Sequence, residues 1–179
     1  MRKVTFGGAN SLDNYFARND GGMDWLLWSD EVMELMNDFW PKIDTIITGR
    51  KTYETALESS PPSEADARDN GMATYVFSRT QPPGKQPGGA EVVATDPGEF
   101  VRELKEQDGK DICILGGGNL ARALLEAGVI DEIGFNIHPV LLGSGVPLFY
   151  EMSRQIDLEL LECKAMKNGC VYVLYRVKN

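Results

Sequence analysis

Three short segments of the chain combine glycine, basic and hydroxyl residues in a way that suits phosphate binding. Residues 49–52 are Gly-Arg-Lys-Thr, residues 78–80 are Ser-Arg-Thr, and residues 116–119 are Gly-Gly-Gly-Asn. Each segment follows an apolar run typical of a buried strand, and the first and third precede a helical pattern. Backbone N–H groups at the start of a helix bind anions, and glycine lets a phosphate approach the backbone closely.

These segments either bind one ligand together or serve only as turns with helix caps. In an open α/β sheet the carboxyl ends of parallel strands lie at one edge, where ligands bind. Three such segments at one edge suit a dinucleotide better than a lone phosphate. Arg50, Lys51 and Arg79 bring basic charge to them in a chain of net charge −9, which favours the binding interpretation.

Asp30 is the candidate proton donor, and two interpretations of it stay open. The residue spacing predicts a helix from Trp25 to Pro41. Asp30 lies on the face roughly opposite its apolar stripe, where a carboxyl group can line a cleft and donate a proton. An acid near a helix N-terminus can equally be exposed and offset the helix dipole. The stripe expected to be buried consists of Trp28, Val32, Leu35, Met36 and Phe39.

Residue counts exclude several other kinds of site. His138 is the only histidine, so a nucleophilic triad has little support, and we expect His138 to lie in the core or at a pocket edge. No cluster of His, Cys and acidic residues has the spacing of a metal site. The chain has no P-loop motif, and its match to the Rossmann fingerprint at residues 116–121 is weak. The net charge of −9 argues against nucleic acid as a partner.

The order of elements predicts a single α/β domain over residues 1–179. Strands alternate with helices, which is typical of a mostly parallel sheet. Two final strands, joined through Asn168 and Gly169, predict an antiparallel hairpin at the edge of the sheet. By composition, residues 59–71 and 81–89 are loops. The predicted strands cover residues 4–8, 44–48, 73–77, 91–94, 111–115, 131–137, 156–163 and 170–177.

The composition predicts a cytoplasmic protein that does not bind membranes. The three cysteines are widely spaced and odd in number, so we expect reduced thiols. No apolar segment typical of a signal peptide follows the first residues. The charge-free run at residues 133–150 contains two prolines and three glycines, which predicts a buried strand and a tight loop instead of a membrane span.

Several motifs resemble those of one known family. Residues 114–120 are Ile-Leu-Gly-Gly-Gly-Asn-Leu, and residues 130–149 are Ile-Asp-Glu-Ile-Gly-Phe-Asn-Ile-His-Pro-Val-Leu-Leu-Gly-Ser-Gly-Val-Pro-Leu-Phe. Together with Ser-Leu-Asp at 11–13, Asp-Trp-Leu at 24–26 and Gly-Arg-Lys-Thr-Tyr-Glu at 49–54, they resemble the C-terminal reductase domain of bacterial bifunctional riboflavin-biosynthesis enzymes. That group belongs to the dihydrofolate reductase superfamily. The chain is similar to its stand-alone members, which lack the zinc-binding deaminase domain.

The resemblance implies a three-layer αβα fold with a mixed eight-stranded sheet, and NADPH as the cofactor. It places Ala9 near the nicotinamide, and Ser78 and Arg79 by the 2′-phosphate of the adenosine. It also implies a cis peptide bond between Gly116 and Gly117, as in dihydrofolate reductases. The other implied cofactor contacts are Gly49, Arg50, Lys51, Thr52, Gly116, Gly117, Gly118, Asn119 and Leu120.

On the substrate side, the resemblance places Asp30 at the pterin-binding acid of dihydrofolate reductases. Trp25 aligns with a tryptophan of the bacterial enzymes, and Asn136 takes the place of a threonine that helps to bind the pterin. The implied activity is hydride transfer to a C=N or C=O carbon of a small pterin- or pyrimidine-like heterocycle. Asp30 or an ordered water would supply the proton.

Two other functions stay open from the sequence. The chain could be a non-catalytic NADPH-binding sensor or assembly module, or an acidic scaffold without a ligand. We also expect a homodimer, because the apolar stretch at residues 133–150 and the terminal strands exceed what one sheet face needs. The stand-alone relatives that the chain resembles are often dimeric as well.

Overall fold

The computed structural model describes residues 1–58, 71–86 and 89–178. None of the described helices is both long and apolar enough to span a bilayer. The helices are α1 (Asp30–Phe39), α2 (Arg50–Glu58), α3 (Pro97–Glu106) and α4 (Gly118–Glu126), and a 3₁₀ helix (Trp40–Lys42) follows α1. The strands are β1 (Val4–Ser11), β2 (Tyr15–Ala17), β3 (Ile43–Gly49), β4 (Ala73–Phe77), β5 (Gly84–Lys85), β6 (Glu91–Val93), β7 (Asp111–Gly116), β8 (Glu132–His138), β9 (Val146–Pro147), β10 (Asp157–Ala165) and β11 (Val171–Lys178).

Nine of the described strands form one sheet, in the order β10-β11-β8-β1-β7-β3-β4-β6-β5, and β2 pairs with β9 separately. Strands β8, β1, β7, β3, β4 and β6 run parallel to one another. Strand β11 is antiparallel to β8 and forms a hairpin with β10. The mostly parallel sheet with its C-terminal antiparallel hairpin confirms the predicted fold class.

The sheet contains one strand more than the resemblance implied. The extra strand is β5, which lies inside the segment 81–89 that we expected to be loop. It pairs antiparallel with β6, and Gly84 lies opposite Val92. A strand of two residues is too short to show alternating hydrophobicity, so the sequence pattern missed it. The other predicted loop, residues 59–71, lies outside the described residues except for Gly71.

Helices cover both faces of the sheet, because successive side chains of a strand point to opposite sides. Val4, Phe6 and Ile112 are fully buried in a core cluster to which α3 and α4 contribute Val101, Leu104, Leu120, Ala121, Leu124 and Leu125. Thr5 and Cys113, one residue along, face the other side together with residues of α1. Tyr53 of α2 packs against Val76 and Val92. The result is the three-layer αβα arrangement.

Helix α1 begins at Asp30, five residues later than the sequence predicted. Ser29 is its N-cap, and the Ser29 hydroxyl accepts a hydrogen bond from the Val32 N–H at 3.3 Å. Serine favours this position because its side chain satisfies an N–H group that has no partner within the helix. Trp28 therefore lies outside the helix and is 64% exposed, although we expected it to be buried.

The segment after β1 is fastened to the segment after β8 by one carboxylate. The Asp13 carboxylate accepts hydrogen bonds from the Ser11 hydroxyl at 2.6 Å, the Leu142 N–H at 3.1 Å and the Gly143 N–H at 2.8 Å. The Ser11 hydrogen bond, followed by those from Gly143 and Leu142, outweighs desolvation and lowers the pKa of Asp13. The two loops at this end of strands β1 and β8 are thereby held together.

Candidate active site

The three segments singled out in the sequence meet at one edge of the sheet. Strands β7, β3 and β4 are neighbours and run parallel, so their carboxyl ends lie side by side. In the register of the sheet, Thr48 lies opposite Gly116, and Gly49 lies opposite Phe77, which immediately precedes Ser78. This is the strand edge at which open α/β sheets bind ligands.

Backbone packs directly on backbone where β3 and β7 end. A Cβ atom on Gly49 would lie 3.3 Å from the Gly117 nitrogen and 3.7 Å from the Gly116 oxygen, so a side chain there would crowd the glycine segment. Gly116 has a φ of +110°, which side chains disfavour, and its peptide bond to Gly117 is cis, as expected. A Cβ on Gly117 would lie 3.3 Å from the Thr52 hydroxyl oxygen. We call Gly49, Thr52 and residues 116–118 the glycine cradle.

The N-terminus of α4 opens into the glycine cradle without a side-chain cap. Its N-cap residue is Gly117, which offers no side-chain oxygen to the first N–H groups of the helix. The Gly117 carbonyl accepts hydrogen bonds from the Leu120 and Ala121 N–H groups at 3.0 and 3.1 Å, so the helix is well formed. Uncapped N–H groups and the positive end of the helix dipole favour an anionic ligand. Asn119 is exposed there, whereas the Leu120 side chain belongs to the core.

The basic residues around the cradle differ in how they are held. The Arg50 guanidinium contacts both carboxylate oxygens of Glu54, at 3.0 and 2.8 Å. Sequence reasoning missed this partner, although the i,i+4 spacing was a usable signal. Lys51 and Arg79 are exposed.

Ser78 holds the turn that carries Arg79. It is buried, and its hydroxyl accepts hydrogen bonds from the Thr80 N–H at 3.2 Å and the Gln81 N–H at 3.0 Å. A hydroxyl that accepts from backbone N–H groups in this way stabilises a tight turn. Ser78 therefore fixes the position of Arg79 at the end of β4.

A cavity of about 260 Å³ lies between α1 and the sheet, next to the cradle. Leu115 of β7 lines the cavity, and the next residue, Gly116, begins the cradle. Ala9 lines it as well, as does Asn136. The wall opposite the sheet consists of Leu26, Leu27, Trp28, Val32, Leu35, Met36, Phe39 and Trp40. The predicted burial of the apolar stripe is confirmed for Val32, Leu35 and Met36, which pack with Met166 and Cys170, and the same residues also form part of the cavity wall.

The cavity is uncharged near neutral pH. None of its described lining residues is Asp, Glu, Lys or Arg. Burial raises the pKa of the Cys113 thiol to about 12 and lowers the pKa of His138. Burial, together with Glu162 and Glu132, raises the pKa of Tyr172. All three groups are therefore neutral at pH 7.

The expectation that the Asp30 face of α1 lines a cleft is not met. Asp30, Met33 and Asn37 are exposed, and Asp30 lies in the first turn of α1. The helix turns its apolar stripe toward the sheet because burying that stripe removes apolar surface from water, whereas burying a carboxylate is costly. An acid at this position instead complements the helix dipole.

Trp25 lies behind the cavity wall and contacts His138. It is buried, and its ring meets the His138 ring edge-on at 5.3 Å between centroids. The structure therefore brings Ala9 and Asn136 to the cavity but not Trp25 or Asp30.

Asn136 and His138, two residues apart on β8, form a buried polar pair. His138 Nδ1 lies 3.1 Å from the Leu27 backbone nitrogen and 3.4 Å from Cys170 Sγ. The Asn136 amide nitrogen is placed 3.3 Å from His138 Nε2. The amide oxygen is then buried and has no hydrogen-bond partner in the described protein. Within residues 1–58, 71–86 and 89–178, no group of three His, Cys, Asp or Glu side chains could hold a metal ion.

Comparison with known proteins now places this chain in a family. Residues 2–172 match the profile of the RibD C-terminal domain. The chain belongs to the RibD C-terminal domain family. A curated relative, the uncharacterised protein YyaP of Bacillus subtilis strain 168, is 30% identical over 182 residues, which cover 98% of this chain and 95% of YyaP.

Solved structures of the same fold include members of both groups that the sequence motifs suggested. A Shewanella sp. PV-4 protein named for riboflavin biosynthesis has a TM-score of 0.80 at 23% identity, over 100% of both chains. The Thermotoga maritima diaminohydroxyphosphoribosylaminopyrimidine deaminase/5-amino-6-(5-phosphoribosylamino)uracil reductase has a TM-score of 0.70 at 14% identity, over 98% of this chain and 56% of that chain. Enterococcus faecalis dihydrofolate reductase, in a complex with NADP(H), has a TM-score of 0.68 at 16% identity, over 99% of this chain and 97% of that chain. At these identities the likeness concerns the fold.

The burial of His138 predicts a pH dependence of stability. Its folded-state pKa lies below the ordinary value of 6.5, so between these two values the unfolded chain binds more protons than the folded chain. The free energy of unfolding should therefore fall as the pH drops below 6.5, until the folded-state pKa is reached and the loss ends. Urea unfolding at pH values between about 5 and 7.5 measures this slope.

The control is His138→Gln, which removes the only imidazole of the chain. Its free energy of unfolding should lack the decrease that begins near pH 6.5. Identical slopes for the variant and the natural chain would contradict the assignment.

Proposed function

We propose that this protein is a reductase that transfers hydride from NADPH to a small heterocyclic substrate of the pterin or pyrimidine type. The observation that carries the proposal is the junction at Leu115 and Gly116, where the apolar cavity meets the glycine cradle. NADPH, when bound, supplies the hydride. Membership of the RibD C-terminal domain family supports a reductase of the riboflavin-pathway type, and the dihydrofolate reductase fold supports the choice of cofactor.

The residues of the cradle fit the phosphate groups of a dinucleotide. Gly49 and Gly117 have no Cβ atoms, so the ends of β3 and β7 lie against each other and the start of α4 comes close to the Thr52 hydroxyl. We assign the pyrophosphate to the uncapped N-terminus of α4 at Gly118 and Asn119, with the Thr52 hydroxyl beside it. These groups hold the anion by hydrogen bonds that water would otherwise make.

Basic side chains extend this binding surface on the β3 and β4 side. Arg79 is the candidate for the 2′-phosphate, because it is exposed on the turn that Ser78 stabilises at the end of β4. Glu54 holds the Arg50 guanidinium by two contacts, which keeps that cation at the start of α2. Lys51 adds an exposed cation beside it.

The apolar cavity positions the substrate next to the cradle. Ala9 and Leu115 place it at the ends of β1 and β7, next to the cradle, so a ring in the cavity lies beside a cofactor bound there. Holding two reactants in contact makes a bimolecular reaction effectively unimolecular. This positioning supplies a large share of the rate enhancement in enzymes of this kind. No carboxylate belongs to the described lining of the cavity, so we propose that water delivers the proton.

The second candidate function is a non-catalytic NADPH-binding module. The observation that favours it is that none of the described residues lining the cavity is a charged proton donor. Oxidation of NADPH, followed by absorbance across a panel of pterins, dihydrofolate, ribosylaminopyrimidines and quinones, separates the two functions. Tight binding of NADPH without turnover on any compound would favour the binding module.

The first prediction from this proposal concerns Arg79. The change Arg79→Ala should weaken NADPH binding by about tenfold or more, because a hydrogen bond to a charged group contributes about 1.5 kcal/mol or more. Binding of NADH, which lacks the 2′-phosphate, should change little. Isothermal titration with both cofactors measures the difference, and Arg154→Ala is the control, because Arg154 is exposed outside the cradle. Equal losses for NADPH and NADH would remove Arg79 from the phosphate site.

The second prediction concerns Asp30. Because Asp30 is exposed in the first turn of α1 and does not line the cavity, Asp30→Asn should leave both kcat and the NADPH affinity within about twofold of the natural values. Steady-state kinetics with the best substrate of the panel measure this. A loss of kcat of about a hundredfold, the size expected for removal of a general acid, would restore Asp30 as the proton donor.

We also propose that the protein is a cytoplasmic homodimer. Its three cysteines are unpaired, which fits a reducing compartment. The terminal hairpin supports the dimer: β10 is an edge strand, and Leu158 and Leu160 on one of its faces are 40% and 54% exposed. An edge strand with exposed leucines is a ready surface for a second copy of the chain.

Light scattering during gel filtration tests the dimer. The natural chain should have twice the chain mass of 19.8 kDa, and the double variant Leu158→Lys, Leu160→Lys should have the mass of one chain. Lys164→Glu, which changes a charge on the same strand, is the control and should stay dimeric. A monomeric natural chain would contradict the proposal.

A further inference from the structure

We infer that the cavity selects an uncharged ring carrying a hydrogen-bond acceptor, which binds to the amide N–H of Asn136, and that it rejects phosphorylated forms of the same ring. This inference rests on the proposed function in one respect, that the cavity beside the cradle is the substrate site. Its own grounds are the hydrogen bonds of Asn136 and His138 and the chemistry of the cavity lining.

The hydrogen bonds of His138 show which ring nitrogen carries the proton. Nδ1 lies 3.1 Å from the Leu27 backbone nitrogen, and a backbone N–H can only donate. Nδ1 is therefore an acceptor and carries no proton, and in the neutral ring the proton lies on Nε2. The Cys170 thiol, 3.4 Å from Nδ1, can donate to the same nitrogen and does not disturb this assignment.

The contact with His138 selects one of the two orientations of the Asn136 amide. The amide lies 3.3 Å from His138 Nε2, whose N–H needs an acceptor. Only the amide oxygen can accept, and a half-turn about the Cβ–Cγ bond exchanges the oxygen with the NH₂ group. Hydrogen bonding therefore assigns the oxygen to the side of His138. The Cys170 thiol also interacts with this amide, and its single hydrogen is donated either to this oxygen or to His138 Nδ1.

This orientation of the amide leaves its NH₂ group without an acceptor in the described protein. In this orientation it takes the amide position that has no partner in the protein. Asn136 is only 9% exposed, and a buried donor without an acceptor is costly. Of the four residues with such unpartnered buried side-chain atoms in the described structure, only Asn136 lines the cavity. The missing acceptor is therefore a carbonyl oxygen or ring nitrogen of the ligand.

The lining and the volume of the cavity limit the charge and the size of the ligand. No Lys or Arg belongs to the described lining, so a phosphate or carboxylate inside the cavity would pair with no cation of that lining. The floor contains Gly7 and Gly134, and the opposite wall is aliphatic and aromatic, which suits a flat ring. A volume of about 260 Å³ is near the lower end of small-molecule sites and leaves no room for a long substituent.

The decisive experiment compares matched ligands on the natural protein with NADPH present. The pairs are 5-amino-6-(ribosylamino)uracil against its 5′-phosphate, and 1,4-naphthoquinone against its 2-sulfonate. Dissociation constants and kcat/KM should both favour the uncharged member of each pair by about tenfold or more, because burying an unpaired anion opposes binding. Equal or tighter binding of the anionic members would overturn the inference.

The role of the amide is tested by Asn136→Leu, which keeps the size of the side chain but removes its donor. The affinity for the best uncharged ligand should fall about tenfold, while the affinity for NADPH stays unchanged. Asn10→Leu is the matched control, because Asn10 is also buried with an unpartnered amide oxygen but does not line the cavity. Equal affinities for the ligand in both variants would contradict the role of Asn136.

These measurements separate failure of the inference from failure of the proposed function. The ligand pairs are compared on the natural protein, so the result does not depend on whether the Asn136 variant folds. A protein that binds NADPH and the uncharged rings without turnover would contradict the reductase but support the inference. A protein that reduces the phosphorylated pyrimidine in preference would support the reductase and contradict the inference.

Discussion

The close contact between the carboxyl ends of β3 and β7 is the constraint on which the rest of the site depends. Gly49 faces the Gly117 nitrogen at a distance that leaves little room for a side chain, so the two strands can end against each other. Helices α2 and α4 consequently start next to one another at the same sheet edge. The Thr52 hydroxyl of α2 then lies beside Gly117, the N-cap residue of α4. The same strand end places Leu115 in the wall of the cavity.

The site divides into two environments that suit two kinds of ligand. The cradle offers backbone N–H groups and exposed cations, so it favours phosphate even though the chain as a whole has a net charge of −9. The cavity beside it contains only neutral groups in its described lining, with burial keeping Cys113 and His138 uncharged. In the function that we propose, the charged cofactor binds in the cradle and the uncharged ring in the cavity, so the two do not compete for the same groups.

The polar pair on β8 explains how an apolar cavity can still be selective. Asn136 and His138 face the same side of the sheet because they are two residues apart on one strand. The Leu27 N–H and the Cys170 thiol fix the ring of His138 from one side, and Trp25 packs against its edge. The ring in turn orients the Asn136 amide. In the orientation that we infer, the NH₂ group of this amide is the donor offered to a ligand.

Much of the fold and part of the candidate site followed from local patterns in the sequence. Apolar runs ending in Gly49 and Gly116 predicted two adjacent strand ends, because parallel strands in such a sheet present their carboxyl ends at one edge. The Asn168–Gly169 turn predicted the terminal hairpin, which pairs Val171 with Ala165. The two-residue strand β5 and the start of α1 were missed or misplaced, since neither a short strand nor a serine cap changes the hydrophobic period.

The sequence by itself determined the class of the fold, the three segments suited to phosphate binding and the apolar stripe of α1. Only the tertiary structure decided that this stripe lines a cavity and that Asp30 lies on the exposed side of the helix. Periodicity shows that one helix face is apolar, but how closely the helix approaches the sheet depends on side chains from β1, β7 and β8. The orientation that we infer for Asn136 likewise depends on the Leu27 N–H, which acts through His138 and is distant in the chain from both residues.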